Sequence, residues 1–294
     1  MRPCDDEILA RVRACHGAVR LRDLRLDRTE YRHAQRLIER RLLFSHQGVV
    51  SLPEAGWDLI LARIHGGVIT CLHAAKHYGY PRPRLWAPVH LAVLHSTGRA
   101  PVRGEVLHVE RSLELPPLTQ FPVAPVPLML ARYLRCDPRR EGPLMACDAA
   151  LHQGHTGTDA IAALLHGPGS RQARQRLALA SPRARSPLET LARLQLYDAG
   201  IPFADGVDIP RVGEVDLLVD DWLVLGWTVT PTTRTSSNLP ATAIAIESWS
   251  GRATGSLASR AKMWNLVAWE PRSTNSLPRA IAQPKLSQIG TNAP

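Results

Sequence analysis

At 294 residues the chain has room for two or three small domains, each able to bury a core. Its net charge is +10, but residues 226–294 hold seven Lys and Arg against two acids, so half the surplus lies in that tail and the basic balance is weak evidence for a nucleic-acid partner. No run approaches the roughly 20 apolar residues of a membrane span, the start with Asp5, Asp6 and Glu7 does not read as a signal peptide, and five cysteines without CxxC spacing point to reduced thiols in a cytoplasmic protein and away from a zinc ribbon.

Residues 5–16 read as a helix, with Ile8, Leu9, Val12 and Cys15 on one face and Gly17 ending it. Residues 18–26 read as a short second helix or turn. Asp27 caps a third helix, and Glu30 completes a capping box. Tyr31, Ala34, Leu37, Ile38 and Leu42 are its expected buried face; Arg28, Arg32, Gln35, Arg36 and Arg40 lie on the other sides. Residues 44–52, with Gly48 at the turn, read as a β-hairpin. Three helices and a hairpin over residues 1–56 make a winged helix-turn-helix pattern. A recognition helix needs long cationic donors to reach phosphates and base edges, so these five side chains are candidate DNA contacts. The competing reading is a solvated helix face. The pattern resembles the N-terminal domain of AbiEi-like antitoxins of type IV toxin–antitoxin systems. That resemblance implies an autoregulator that binds DNA and has a toxin partner.

Residues 57–180 form a mixed helical middle region. Helices are expected over 57–65 and 70–78, broken by Gly66-Gly67. Residues 89–95 and 102–110 have strand character, separated by a turn at Gly98. A proline-rich connection over 116–127 leads to short helices at 128–134, 143–153, 158–165 and 171–180. This order resembles the middle of the AbiEi-like proteins. Among the twelve histidines, His73 and His77 have a metal-compatible helical spacing but lack an HExxH glutamate, and His152 and His155 flank Gly154. Both pairs read as partly buried or surface imidazoles. No nucleophile elbow or Gly-rich phosphate loop is present.

Residues 181–225 carry the carboxylates of interest. Ser186, Pro187 and Glu189 make a helix start with a capping box, and Gly200 is a suitable terminator. Two strands follow, over 214–219 and 222–225, joined by a tight turn at Asp220-Asp221. Asp216 stands between Val215 and Leu217, where a carboxylate is costly unless it is paired or binds a metal.

The runs Ser186-Pro187-Leu188-Glu189 and Gly213-Glu214-Val215-Asp216-Leu217-Leu218-Val219-Asp220-Asp221-Trp222-Leu223-Val224-Leu225 resemble the start of the very-short-patch-repair-like endonuclease domain, a branch of the PD-(D/E)XK superfamily. The resemblance implies a restriction-endonuclease-like α/β fold in which acids on adjacent strands share Mg²⁺, with the metal polarising a phosphodiester and activating water. Asp216 matches the first strand's acid and Glu189 the helix acid. Glu189 is also explained by the capping box alone. The family's second-strand acids and its histidines are absent, because the chain continues Gly226-Trp227-Thr228-Val229-Thr230-Pro231.

Codons read one base out of register after Gly226 recover part of that pattern. Trp227-Thr228 then must encode Asp, Thr228-Val229 allows Gly, Val229-Thr230 allows His, and Trp264-Asn265 must encode Glu. The expectation is a one-base frame change near Gly226; resequencing that finds no frame continuing the family pattern would sink it. Residues 226–294 therefore read as an off-pattern tail of low order, with a brief strand or helix at 241–246. The expected fold class is α+β: a winged helix-turn-helix, a mixed helical middle and a truncated endonuclease-like domain. The expected function is a DNA-associated protein of an endonuclease-like family that is catalytically inactive and retains no Mg²⁺. Two alternatives stand beside it: an AbiEi-like regulator without enzymatic role, and a nonfunctional frameshift product.

Overall fold

The computed structural model describes residues 3–83, 87–97, 100–101, 104–210, 212–221, 223–226 and 245–248. The chain is mixed α+β and divides into two units, residues 1–187 and 188–294. No helix among the described residues is long and apolar enough to cross a membrane.

The first unit opens with α1 (Pro3–Ala14), β1 (Ala18–Arg20), a 3-10 turn (Leu21–Leu24), α2 (Arg28–Glu39), β2 (Phe44–His46) and β3 (Val49–Ser51). β3 lies between β1 and β2 and is antiparallel to both. The expected capping box is present: Glu30 N donates to Asp27 Oδ1 at 2.8 Å, and Asp27 N to Glu30 Oε2 at 2.8 Å. Gln47 and Gly48 both have positive φ, the backbone of a tight hairpin turn whose twist matches its strands. Ile8, Val12, Val19, Leu24, Ala34, Leu37 and Val50 fill the core of this segment.

Two details differ from the sequence reading. Residues 18–26 divide into β1 and the 3-10 turn, because Val19 pairs with Val50 and a nine-residue helix has little stability of its own. Tyr31 is exposed, and His33 takes the buried position instead. A polar ring is tolerated there because His33 Nδ1 lies 2.6 Å from the buried Asp5 carboxylate on α1.

The unit continues with α3 (Trp57–His65), β4 (Val68–Ile69), α4 (Cys71–His77), β5 (Val89–Leu94), β6 (Glu105–Glu110), α5 (Val126–Cys136), α6 (Glu141–His152), α7 (Thr158–Ala163) and α8 (Ser170–Leu177). The sheet order is β4-β5-β6. β4 is antiparallel to β5, whereas β5 and β6 are parallel. A simple turn between the last two would have made them antiparallel. The chain instead leaves β5 through a 3-10 turn (His95–Thr97) and re-enters the sheet in the same direction at Glu105. Gly98 lies outside the described residues. β4 was not anticipated: it is two residues long. Gly67 before it admits no side chain, since a Cβ there would collide with the backbone oxygen of Ala92. Leu59, Ile69, Leu91, Met129, Leu130, Tyr133, Leu134 and Ile161 build one core beneath the helices.

The second unit contains α9 (Pro187–Asp198), β7 (Phe203–Ile209), β8 (Gly213–Val219), β9 (Leu223–Leu225) and β10 (Ala245–Ser248). Its antiparallel sheet runs β10-β9-β8-β7. α9, β8 and β9 follow the expected boundaries, and Asp220 and Asp221 have the positive φ of a tight turn. β7 was not anticipated, because Asp205, Gly206 and Asp208 disguise its strand period. β9 is paired on its outer edge with β10. The rest of the tail beyond residue 226 lies outside the described residues.

Candidate metal centre

Four side chains far apart in the chain meet in the first unit: Cys71, His90, His108 and Cys136, whose donor atoms all lie within 4.8 Å of one another. Each is delivered by a different element. Thr70 N donates to His90 O at 2.9 Å, which fixes the step from β4 into α4. Cys71 opens α4 with φ +52°, a left-handed conformation that costs a side-chain-bearing residue roughly 1–2 kcal/mol. In the parallel ladder His90 stands opposite Val106 and Ala92 opposite His108, so both imidazoles occupy the same face of the sheet. Cys136 is the last residue of α5.

Two arginines fix the end of that helix. Arg132, one turn before Cys136, meets Glu110 at 2.8 Å, and Glu110 is two residues beyond His108 on β6. Buried Arg176 donates to the carbonyls of Leu134 (2.7 Å), Asp137 (2.6 Å) and Pro138 (3.0 Å), capping the C-terminus of α5.

The donor–donor distances are 3.6 Å for Cys71 Sγ to Cys136 Sγ, 3.5 Å for Cys71 Sγ to His108 Nε2, 3.3 Å for Cys136 Sγ to His90 Nδ1, and 3.2 Å for His90 Nδ1 to His108 Nε2. The sulfur separation is far from a disulfide bond of about 2.05 Å. Cys71 is fully buried and the other three are half-buried. Burial pushes the Cys71 thiol well up. The hydrogen bond with Cys71 holds Cys136 well down against the cost of its own burial, with His108 and His90 assisting. Buried Cys147, with no such partners, is pushed up by burial and behaves as a small core residue. The set therefore offers two soft sulfurs and two imidazole nitrogens converging on one point, a donor set suited to zinc and unsuited to Mg²⁺.

The histidine pairs singled out by spacing take other partners. His77 Nε2 lies 3.0 Å from Asp58 Oδ2, while His73 stacks on His90 with ring centroids 6.4 Å apart. Burial, then the neighbouring His90, brings His73 down to about 4. His152 Nδ1 bonds Pro182 O at 3.0 Å, and Tyr80 Oη bonds His155 Nδ1 at 2.6 Å.

The other candidate residues are placed as follows. Arg28, Arg32, Arg36 and Arg40 are exposed along α2 and its C-terminal cap, and Gln35 is half-buried. Arg40 Nη1 lies 3.8 Å from Asp5 Oδ2. Glu189 is buried on α9. On β8 the buried positions are Val215, Leu217 and Val219, so Asp216 falls on the less buried face with Glu214 and Leu218. Alternation thus eases the desolvation cost that its apolar neighbours in sequence suggested. Among the described residues, the group of three or more donors able to surround one ion is the Cys/His set, which includes neither carboxylate.

No protein-family model matches the chain, and no curated protein does. Among solved structures, the chain is similar to one described as the crystal structure of RV2827C protein from Mycobacterium tuberculosis. The two share 13% identity over 66% of this chain and 82% of that one, with a TM-score of 0.38. A likeness this distant carries no functional argument.

Proposed function

We propose that residues 1–56 form a winged helix-turn-helix unit that binds duplex DNA, and that the protein is a DNA-associated regulator. The observation that carries this reading is the line of exposed arginines at 28, 32, 36 and 40, backed by buried Ala34 and Leu37. Four-residue steps keep them near one side of the helix. The helix is about 18 Å long at 1.5 Å per residue, enough to lie in a major groove about 12 Å wide. The hairpin β2–β3 follows it directly, in the position of a wing. The resemblance to AbiEi-like antitoxins supports extending the role to autoregulation beside a toxin partner.

Residues 186–225, in this reading, are the remnant of a metal-dependent nuclease fold, with Asp216 and Glu189 its surviving acids and no retained Mg²⁺ site. The test is duplex binding by the full chain, measured by fluorescence anisotropy on a pool of random duplexes across a salt series. The paired change Arg32→Ala and Arg36→Ala is expected to weaken binding at least tenfold and to reduce the salt slope by about 2, roughly one per lost phosphate contact. Absence of duplex binding at low salt would refute the DNA reading. Plasmid nicking that requires Mg²⁺ and is lost in Asp216→Asn would refute the inactive remnant.

A further inference from the structure

We propose that Cys71, His90, His108 and Cys136 bind one zinc ion as a closed structural centre that ties α4, β5, β6 and α5 together. The first argument is metric. A tetrahedral site with Zn–S of about 2.3 Å and Zn–N of about 2.05 Å has edges of about 3.8 Å (S–S), 3.6 Å (S–N) and 3.3 Å (N–N). The corresponding separations are 3.6 Å, 3.5 and 3.3 Å, and 3.2 Å. Four of the six edges fall within a few tenths of an ångström of their counterparts, and the other two S–N edges lie within 4.8 Å.

The second argument is the construction around them. A left-handed φ at a cysteine is unfavourable, and it persists here where it turns the Cys71 thiol toward the other three donors. Arg132–Glu110 and the Arg176 cap independently fix the positions of Cys136 and His108. These are the surroundings that orient metal ligands.

The third argument separates a structural from a catalytic ion. Four protein donors complete a tetrahedron, so no position remains for water or substrate. As the ion binds, each cysteine S–H bond gives its proton to solvent while a Zn–S bond forms, and both histidines bind as neutral rings. The metal carries no redox change.

The test uses the full-length chain, purified under reducing conditions without chelator. Elemental analysis is expected to find about one zinc per chain. Protein stripped of zinc and titrated with Co²⁺ is expected to develop the intense visible bands of tetrahedral cobalt, together with thiolate-to-metal charge-transfer absorption. Cys136→Ser and His108→Ala should each lose zinc on purification and weaken cobalt binding at least a hundredfold. Cys4→Ser, remote from the set, should keep both. If the ligand variants fail to fold, alkylation of the native chain decides the matter. Zinc should protect Cys71 and Cys136, and chelation should expose them. A native chain that purifies without zinc and gives only the weak spectrum of octahedral cobalt would overturn the proposal. So would zinc retained in both ligand variants, or a Cys71–Cys136 disulfide in the reduced preparation.

Discussion

The two units hold their chemistry-bearing side chains in opposite ways. In the second, Glu189 and Asp216 lie within 30 residues of one another in an ordered sequence pattern, yet they join no larger donor group among the described residues. In the first, Cys71, His90, His108 and Cys136 are spread over more than 60 residues with no local spacing, and the fold brings them within 4.8 Å. A local motif is read along the chain. A site made by topology leaves no motif to read.

The largest expected effect follows from that contrast. Removing zinc with a strong chelator should lower the melting temperature of the first unit by 10 °C or more, because structural zinc contributes folding free energy directly. At about 2–4 °C per kcal/mol for a unit of this size, such a shift reports roughly 3–5 kcal/mol. Calorimetry on the full chain, with and without chelator and after zinc is restored, checks it. An unchanged transition would remove the contrast, leaving two unrelated clusters of polar side chains.

The contrast also explains what was legible in the sequence. Asp27 and Glu30 announced α2, Gly66-Gly67 ended α3, and Asp220-Asp221 joined β8 to β9, because each signal acts over three or four residues. Cysteine spacing pointed away from a zinc ribbon and did not foresee two cysteines meeting two histidines. The zinc candidate escaped because it depends on β5 and β6 being parallel. Parallel pairing sets His90 and His108 on one face with an offset of two, and nothing within residues 89–110 announces the direction of the second strand. The available signal was a histidine in each of two apolar strands, with a cysteine at the start of one helix and the end of another. His33 escaped for a similar reason: its partner Asp5 lies 28 residues away.

A smaller effect is expected at Arg132. Arg132→Met keeps most of the packing of the stem but leaves Glu110 without that guanidinium. Arg132 is buried, whereas the Glu110 side chain is 32% exposed, so solvent recovers part of the loss. The expected cost is about 1–3 kcal/mol, with zinc affinity falling about tenfold as His108 and Cys136 lose their shared support. Denaturant unfolding and competition with a calibrated chelator measure the two separately. Loss of stability with unchanged zinc affinity would show that the ion pair serves packing alone.

Asp58 tests the histidine spacing that did not form a metal pair. Burial works against its charged form, but hydrogen bonds from His77 and from Leu59 N bring its carboxyl below the usual value of 3.8. For an acid held down in this way, the stabilisation is fully present above pH 3.8 and disappears as the pH falls through the lower folded value. Asp58→Asn should therefore cost about 1 kcal/mol at pH 7, the worth of one hydrogen bond. The gap between variant and parent should close as the pH falls below 3.8 through that lower folded value. A gap that stays constant with pH would assign the contact to packing.

The smallest effect, and the sharpest statement about the second unit, is expected from Asp216→Asn. The substitution preserves shape and removes only the charge. Asp216 lies on the half-buried face of β8, away from Val215, Leu217 and Val219. The zinc content of the full chain should not change, because Asp216 is not one of the four donors. Added Mg²⁺ should not raise the melting temperature of either parent or variant, because a ligand stabilises only a state that binds it. A Mg²⁺-dependent rise in the parent that vanishes in Asp216→Asn would show that the surviving carboxylates still gather a cation. The second unit would then be a working metal site whose remaining ligands lie beyond the described residues.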